Sequence, residues 1–323
     1  MTVFAASEFP LIDDSEAIES VRRAVAARDP FSLIRLGDGE AIVLAFDDDM
    51  WLQDLAYLHG HWGAEGVTLG AIAEVKHDLQ AAVRGADVVG IRDDVVNVSV
   101  PDDLLSFSGR EVKEFVSSEF HLRPDEIENL SAIGARRLAL LHDVLSKIEW
   151  SEDQRFCSAW IHWELLASGT LNTILEEATH VGLITSRPEL EHMVARRFDV
   201  RTSAVIVPDK FVEVPQPGLH VPRRYRTIRS ELTFPEGTVV LVGAGIPGKV
   251  YCQWLKESGC VAIDVGSAFD AWVGKPSRPR VLESRFQVAG GKHVPPELQL
   301  ELASPAAAGR RLTPRWKPSG VPD

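Results

Sequence analysis

The sequence predicts an α/β protein with a doubly wound, mostly parallel Rossmann-like sheet and helices on both faces. Short apolar segments rich in Val, Ile and Leu alternate along the chain with helical patterns of about 10–15 residues, which is typical of parallel sheets. Glycine-rich or polar turns follow several of these segments, at the position where open α/β sheets bind their ligands. No internal repeat interrupts this order.

Composition narrows the class of protein. The chain has 323 residues, of which 45% are hydrophobic and 25% charged, and these values are ordinary for a globular protein with a sizeable core. A formal charge of −13 argues against a nucleic-acid-binding surface. The three cysteines are widely spaced, no signal peptide is evident and no transmembrane segment is expected, so we predict a cytoplasmic location.

The elements follow one another in a regular order. In the first half we predict a helix over 17–28 beginning near Asp14, a strand over 31–36, helix or loop over 41–58, a helix over 69–84, a strand over 86–91 and a helix over 129–148. In the second half we predict helices over 160–166 and up to 177, a strand over 179–184, a helix over 189–198, strands over 204–208 and 238–242, a helix over 249–258 and a strand over 261–265.

These elements predict a single domain over 1–288 made of two Rossmann-like halves, about 14–150 and 156–288. Residues 209–226 are rich in Pro and charge, which is typical of a long functional loop or lid. Residues 289–323 are rich in Pro, Gly and Ala and predict a C-terminal tail that is disordered or ordered only on contact.

The most informative segment is the turn after the first predicted strand, where Gly37-Asp38-Gly39-Glu40 follows Arg35. Carboxylates at i and i+2 off a strand end are expected on the same side of the chain, with a hard cation between them. Arg35 lies close enough to contact the phosphates that such a cation would bind. The alternative is an acidic surface turn, because Gly-Asp-Gly favours turns in any case.

Gly243, Gly245 and Gly248 form a G-x-G-x-x-G turn between a predicted strand and helix, with Asp264 about 20 residues further on. This context fits a dinucleotide-binding fingerprint, whose helix N-terminus suits a pyrophosphate. Pro247 inside the turn is unusual for that fingerprint, and glycine turns also serve packing alone.

Other candidates lie at predicted strand ends. Thr185, Ser186 and Arg187 offer hydroxyls and a guanidinium suited to a phosphate or a sugar, with a helix cap as the equal alternative. Arg92-Asp93-Asp94 lies at the same kind of position, but it is more typical of charged residues in a solvated loop. Trp160 and Trp163, which lie on either side of His162, could stack on a sugar or a base, but aromatic residues with this spacing are more typical of a core. No G-x-S-x-G, P-loop or H-E-x-x-H motif is present.

Two separated blocks resemble one family. Residues 32–40 (SLIRLGDGE) resemble the signature of the GT-D-fold glycosyltransferases, whose D-x-E motif binds a divalent cation and the diphosphate of a nucleotide sugar. Residues 243–272 are similar to that family's closing block, and the resemblance covers roughly residues 14–275. This chain has Gly266-Ser267 where the family usually has Gly-His, and Phe269-Asp270-Ala271-Trp272 where acidic residues often follow.

The resemblance implies a role for each matching residue. Asp38 and Glu40 would hold Mn²⁺ or Mg²⁺ on the diphosphate, and the catalytic base would be Glu40, Asp264 or Asp270, with no choice among them. The residues implied to line the donor are Arg35, Gly37, Gly39, Thr185, Ser186, Arg187, Gly243, Gly245, Gly248, Lys249 and Ser267.

With this resemblance, the sequence predicts a metal-dependent glycosyltransferase that moves a sugar from a nucleotide-diphosphate donor. UDP-sugars are the expected donors. The expected acceptor is a glycan, a glycolipid or a glycoprotein. One alternative is an NAD(P)-dependent oxidoreductase that uses the turn at 243–248. The other is a nucleotide-sugar-binding protein without turnover.

Overall fold

The computed structural model of the protein describes residues 9–46, 52–92, 133–208 and 220–300. Its strands are β1 (Phe31–Leu36), β2 (Val88–Ile91), β3 (Arg155–Ser158), β4 (His180–Thr185), β5 (Arg201–Ile206), β6 (Val239–Gly243) and β7 (Val261–Asp264). They form one parallel sheet in the order β3-β2-β1-β7-β6-β4-β5. The predicted α/β class and parallel sheet are confirmed.

The α-helices of the described ranges are α1 (Asp14–Ala27), α2 (Asp38–Leu44), α3 (Leu52–Trp62), α4 (Leu69–Gly85), α5 (Ile133–Leu145), α6 (Ile161–Ala167), α7 (Thr170–Glu177), α8 (Glu189–Phe198), α9 (Tyr225–Ile228), α10 (Pro247–Glu257), α11 (Ala268–Trp272) and α12 (Pro279–Phe286). No helix among these residues is long and apolar enough to span a membrane.

Helices cover both faces of the sheet, and each face has its own apolar core. Successive residues of β1 point to opposite faces, so Ile34 packs into one core and Leu33 into the other. The first core joins α2, α3, α4, α5, α9 and α10, and the second joins α1, α6, α7, α8, α11 and α12. A sheet buried on both sides explains why the strands read as continuous apolar runs.

The strands of the two predicted halves lie in this one sheet, because β1 pairs directly with β7 in the register Phe31↔Val261. Strand β3 is absent from our prediction. It has four residues, and only Phe156 and Cys157 are buried, so its pattern is too short to be distinguished from a loop. Strand β5 begins at Arg201, three residues before the predicted 204–208.

Part of the predicted tail belongs to the folded body. Val294, Leu298 and Leu300 are buried in the second core, and the Leu300 N–H donates to the Trp272 carbonyl at 3.1 Å. The body therefore extends to Leu300, beyond the boundary predicted at 288. Residues 301–323 and most of the predicted 209–226 loop lie outside the described residues.

Candidate functional site

Neighbouring strands diverge at the carboxyl edge of the sheet. The chain leaves β1 for α2 on the first face, whereas it leaves the neighbouring β7 for α11 on the second face. The same reversal separates β7 from β6, which is followed by α10, and β6 from β4, which is followed by α8. Open α/β sheets bind ligands where neighbouring strands diverge in this way.

The Gly37–Glu40 turn differs from its prediction. Helix α2 begins at Asp38, so Asp38 and Glu40 are the first and third residues of a helical turn and do not share a side. The Glu40 carboxylate folds back, and its Oε2 accepts a hydrogen bond from the Gly37 N–H at 2.9 Å. The predicted common orientation is therefore wrong, because it assumed strand geometry where a helix has already started.

Gly39 also has a different role from the one predicted. A Cβ at Gly39 would lie 2.9 Å from Ile246 and 3.3 Å from Tyr57. The residue is needed for the packing of α2 against its neighbours, and it does not open the backbone to a ligand.

A buried cluster of four charged side chains lies where β1 and β7 end. Lys249 Nζ lies 2.9 Å from Glu40 Oε1 and 3.1 Å from Asp264 Oδ2. It also donates to the Gly245 carbonyl at 3.0 Å. On the other side of Asp264, Arg35 Nη2 lies 3.0 Å from Oδ1 and Arg35 Nε donates to the backbone carbonyl at 3.1 Å. The structure thus joins four residues that are up to 229 positions apart.

The charges in this cluster stabilise one another. Burial alone would raise the pKa of Asp264, but Arg35 and Lys249 outweigh burial and hold that pKa below its ordinary value. Burial would likewise lower the pKa of Lys249, but Asp264 and Glu40 keep it above its ordinary value. Asp264 is 1% exposed and ionised at neutral pH, so it is a poor proton acceptor.

Gly266 lets the backbone pass close to this cluster. Its φ of 46° is in the left-handed region, and a Cβ there would lie 2.1 Å from Arg35 Nη2. A glycine is therefore required both by the conformation and by the space.

His162 contacts this cluster, although the sequence analysis gave it no role. Its Nδ1 lies 2.8 Å from Arg35 Nη1, and its Nε2 lies 3.4 Å from the Ser267 hydroxyl. Burial and then the charge of Arg35 hold the pKa of His162 well below its ordinary value, so the imidazole is neutral. Its position shortly after a strand could have indicated a site residue, but that strand, β3, was absent from our prediction.

A second ion pair joins the segments that follow β4 and β7. Arg187 follows β4, and its Nε and Nη2 donate to Asp270 Oδ1 in α11 at 2.9 and 2.7 Å. Arg187 is 4% exposed, yet its Nη1 has no hydrogen-bond partner within the described chain. A buried guanidinium N–H without an acceptor carries a cost in free energy. We therefore expect a ligand or water to supply the acceptor.

Thr185 and Ser186 do not cap the following helix. No side chain caps α8, and the Thr185 hydroxyl instead accepts from the Arg187 N–H at 3.0 Å. The threonine therefore orients Arg187, and the helix-cap reading is wrong. Ser186 is buried at the same edge.

The three glycines of the 243–248 turn have different surroundings. A Cβ at Gly243 would lie 2.5 Å from Phe269, and one at Gly248 would lie 3.2 Å from Val242, so both are packing positions. Gly245 has φ 60° and no atom within 4 Å of its Cβ position, so this part of the turn faces open space. The dinucleotide reading loses support, because Asp264 is occupied by Arg35 and Lys249 instead of being available to a ribose.

Asp38 lies at the rim of the site. Its Oδ1 accepts from Arg92, whose guanidinium also lies 5.6 Å from the Trp160 ring. The solvated-loop reading of Arg92 is therefore wrong. Burial and then the charges of Glu40 and Asp38 raise the pKa of Tyr57, which places this phenol beside both carboxylates.

The residues fit a divalent cation only in part. The side chain of Asp38 is 20% exposed and offers a hard oxygen at the rim, as a Mg²⁺ or Mn²⁺ shared with substrate phosphates requires. Glu40 does not fit, because each of its oxygens already accepts a hydrogen bond or an ion pair. The described ranges contain no group of three or more His, Cys, Asp or Glu placed to hold a metal.

Comparison with known proteins identifies the family. The profile of the GT-D-like family, described as a GT-D fold-like domain, matches residues 12–139 and 134–272. No curated protein matches.

Two solved structures are similar over most of their length. One, described as "The highly conserved domain of unknown function 1792 has a distinct glycosyltransferase fold", is 14% identical with a TM-score of 0.42, covering 81% of this chain and 79% of the other. The second, the selenomethionine-substituted structure of a domain of the same description, is 13% identical with a TM-score of 0.43 at the same coverage. The family match spans well over half of the chain, and the protein belongs to the GT-D fold-like domain family.

Proposed function

We propose that the protein is a glycosyltransferase that moves a sugar from a nucleotide-diphosphate donor, with UDP-sugars the first candidates, to a hydroxyl of a glycan, glycolipid or glycoprotein. Family membership supports the reaction class. The observation that carries the proposal is the buried Arg187 at the carboxyl end of β4. Its Nη1 has no acceptor among the described residues. A phosphate oxygen of the donor supplies that acceptor.

The glycine turn supports the same ligand. The open space over Gly245 leads to the start of α10, where the helix dipole favours a diphosphate. The N–H groups of Gly248 and Lys249 already donate to the Gly245 and Ile246 carbonyls, so the dipole is the contribution of this helix. Ser267 and Ser186 lie at this edge and offer hydroxyls to the sugar or the ribose. Lys249 is held beneath the turn, so it shapes this surface and does not extend from it.

Charge balance favours a donor that arrives with a cation. Four basic side chains of the edge each pair with a carboxylate; these pairs are Arg35 with Asp264, Lys249 with Glu40, Arg92 with Asp38 and Arg187 with Asp270. These four pairs carry no net charge among themselves, so they do not balance the charge of a diphosphate dianion. Mn²⁺ or Mg²⁺, when bound beside Asp38, supplies Lewis-acid stabilisation of the leaving diphosphate.

Asp270 is the best candidate for the catalytic base. Glu40 and Asp264 are buried and held in ion pairs with Lys249 or Arg35, so both are poorly placed to take a proton from an acceptor. Asp270 is 21% exposed at its side chain, and within the described residues Arg187 bonds only its Oδ1. Its second oxygen is therefore available to an acceptor hydroxyl, if the transfer needs a base.

The test of donor binding is calorimetry with UDP-sugars in the presence and absence of Mn²⁺, on the wild type and on Arg187→Met. We expect Mn²⁺-dependent binding that weakens by about tenfold or more in the variant, since a charge-assisted bond is worth about 1.5–3 kcal/mol. Arg196→Met, at an exposed position in α8, the helix that follows Arg187, is the matched control and should bind as the wild type does. Equal affinity in Arg187→Met, or tighter binding of NAD(P) without metal, would contradict the proposal.

A binding protein without turnover makes a different prediction in the same samples. It would bind the donor but release no nucleoside diphosphate, with or without an acceptor. Slow donor hydrolysis by the wild type separates the two candidates.

A further inference from the structure

We propose that the two carboxylates of the Asp38-Gly39-Glu40 turn have separate roles. Asp38 faces the donor and its cation, whereas Glu40 is a positioning residue that, together with Asp264, holds the Lys249 ammonium beneath the glycine turn. This inference rests on the proposed function for the role of Asp38, and it stands on geometry alone for Glu40.

The first step is the saturation of Glu40. Its Oε2 accepts from the Gly37 N–H at 2.9 Å and its Oε1 faces Lys249 Nζ at 2.9 Å. The side chain is 8% exposed, against 20% for Asp38. A cation bound by Glu40 would have to break one of these buried contacts.

The second step is the position of Lys249. Its Nζ donates a hydrogen bond to the Gly245 carbonyl at 3.0 Å and forms ion pairs with Glu40 Oε1 at 2.9 Å and Asp264 Oδ2 at 3.1 Å. Asp264 Oδ2 accepts no hydrogen bond within the described residues, so the Lys249 charge is its compensation. Lys249 thus occupies the position between two carboxylates where a divalent cation would otherwise lie. Displacing it would leave a buried ammonium without partners, which is strongly unfavourable.

The third step links this cluster to donor binding. Lys249 lies in the first turn of α10 and ties that turn to Gly245, the glycine that faces open space. Glu40, at the start of α2, orients the lysine through their ion pair. Loss of Glu40 therefore disturbs the surface that receives the diphosphate without removing a ligand of the cation.

The experiment measures Mn²⁺ affinity by electron paramagnetic resonance, with UDP at a concentration that saturates each variant, for Asp38→Asn, Glu40→Gln and the exposed control Glu283→Gln. We expect Asp38→Asn to weaken Mn²⁺ binding by about tenfold or more, since even outer-shell changes cost that much. Glu40→Gln should change Mn²⁺ affinity less than about threefold, as an independent site would. In donor kinetics it should lower kcat and raise KM together, and the control should change neither. Equal loss of Mn²⁺ affinity in Glu40→Gln and Asp38→Asn would overturn the division of roles.

A second measurement is independent of donor and metal. We expect Glu40→Gln to lower the urea midpoint of the wild type but to raise that of Lys249→Met, because in Lys249→Met the Glu40 carboxylate has lost its cation. A Glu40→Gln substitution that raises the midpoint in both backgrounds would overturn the positioning role. A wild type that binds neither Mn²⁺ nor UDP would contradict the proposed function and the role of Asp38, while the sign reversal in the urea midpoints would still support the role of Glu40.

Discussion

The two charged regions at the carboxyl edge differ in how many charges they join and in how deeply the carboxylates are buried. Between β1 and β7, Lys249 pairs with the buried carboxylates of Glu40 and Asp264, and Asp264 also pairs with Arg35, although Asp264 Oδ2 accepts no hydrogen bond within the described residues. Beyond β7, Arg187 pairs with Asp270 alone, retains an Nη1 without an acceptor among the described residues, and its partner Asp270 is partly exposed. A network of several buried pairs holds a shape, whereas a single, partly exposed pair can reach a ligand. We therefore assign the first region to the scaffold of the proposed site and the second to its proposed reacting surface.

The largest expected effect is on the scaffold. Asp264→Asn removes the charge that faces both Arg35 and Lys249, so we expect a loss of about 3–5 kcal/mol in the free energy of unfolding, as for a broken buried ion pair. Urea denaturation measures this value. Asp270→Asn is the matched comparison at the partly exposed pair and should lose no more than about 1 kcal/mol. Similar losses in the two variants would remove the distinction between the regions.

The next effect is on the reacting surface. If Asp270 is the base, Asp270→Asn should lower kcat by about 10²–10⁴-fold. The far-ultraviolet circular dichroism and urea midpoint should stay close to the wild-type values. Steady-state transfer kinetics with a UDP-sugar donor measure the change, and a kcat within threefold of wild type would exclude Asp270 as the base.

A smaller effect separates the two left-handed glycines. Gly266→Ala introduces a Cβ against Arg35 as well as an unfavourable φ, whereas Gly245→Ala brings only the unfavourable φ, because its Cβ position is open. The backbone term costs about 1–2 kcal/mol in each, so thermal unfolding should show Gly266→Ala as the less stable variant. Gly245→Ala should instead weaken donor binding. Equal stability of the two would indicate that Arg35 is not fixed beside Gly266.

The smallest effect is the pH dependence of stability. The folded-state pKa of Asp264 lies below its ordinary value of 3.8, so its contribution is fully present above that value and is lost as the pH falls through the folded pKa. The folded-state pKa of Lys249 lies above 10.5, so its contribution is present below that value and lost as the pH rises through the folded pKa.

Stability measured from pH 2 to 12 should therefore fall at both ends, by up to about 1.4 kcal/mol per pH unit for each group. Asp264→Asn should flatten the acid limb relative to the wild type. An unchanged acid slope in that variant would show that Asp264 does not carry this dependence.

Local sequence patterns were sufficient for much of the fold. The strand at Phe31–Leu36 and the helix at Glu189–Phe198 have the predicted bounds, because long apolar runs and helical periodicity are local properties. Strand β3 was missed because four residues with two buried side chains carry no usable period. The position of a helix start also mattered: α2 begins at Asp38, three residues before the segment predicted as helix or loop from residue 41, and this places Asp38 and Glu40 on separate sides.

The site was predictable by residue type but not by partner. Arg35, Lys249 and Asp264 were candidates from the sequence, yet nothing local indicates that they contact one another across more than 200 residues for Arg35 and Asp264. The same holds for Arg92 with Asp38 and for His162 with Arg35. The burial and ion pairing of a carboxylate depend on such distant contacts, so the sequence alone could not favour one of Glu40, Asp264 and Asp270 as the proposed base.

The central claim is tested most directly by release of nucleoside diphosphate from a panel of nucleotide sugars with Mn²⁺, comparing the wild type with Arg187→Met and Arg196→Met. The account predicts turnover by the wild type and by Arg196→Met, and loss of most turnover in a folded Arg187→Met. No release from any donor by folded wild type, or undiminished release by Arg187→Met, would contradict it.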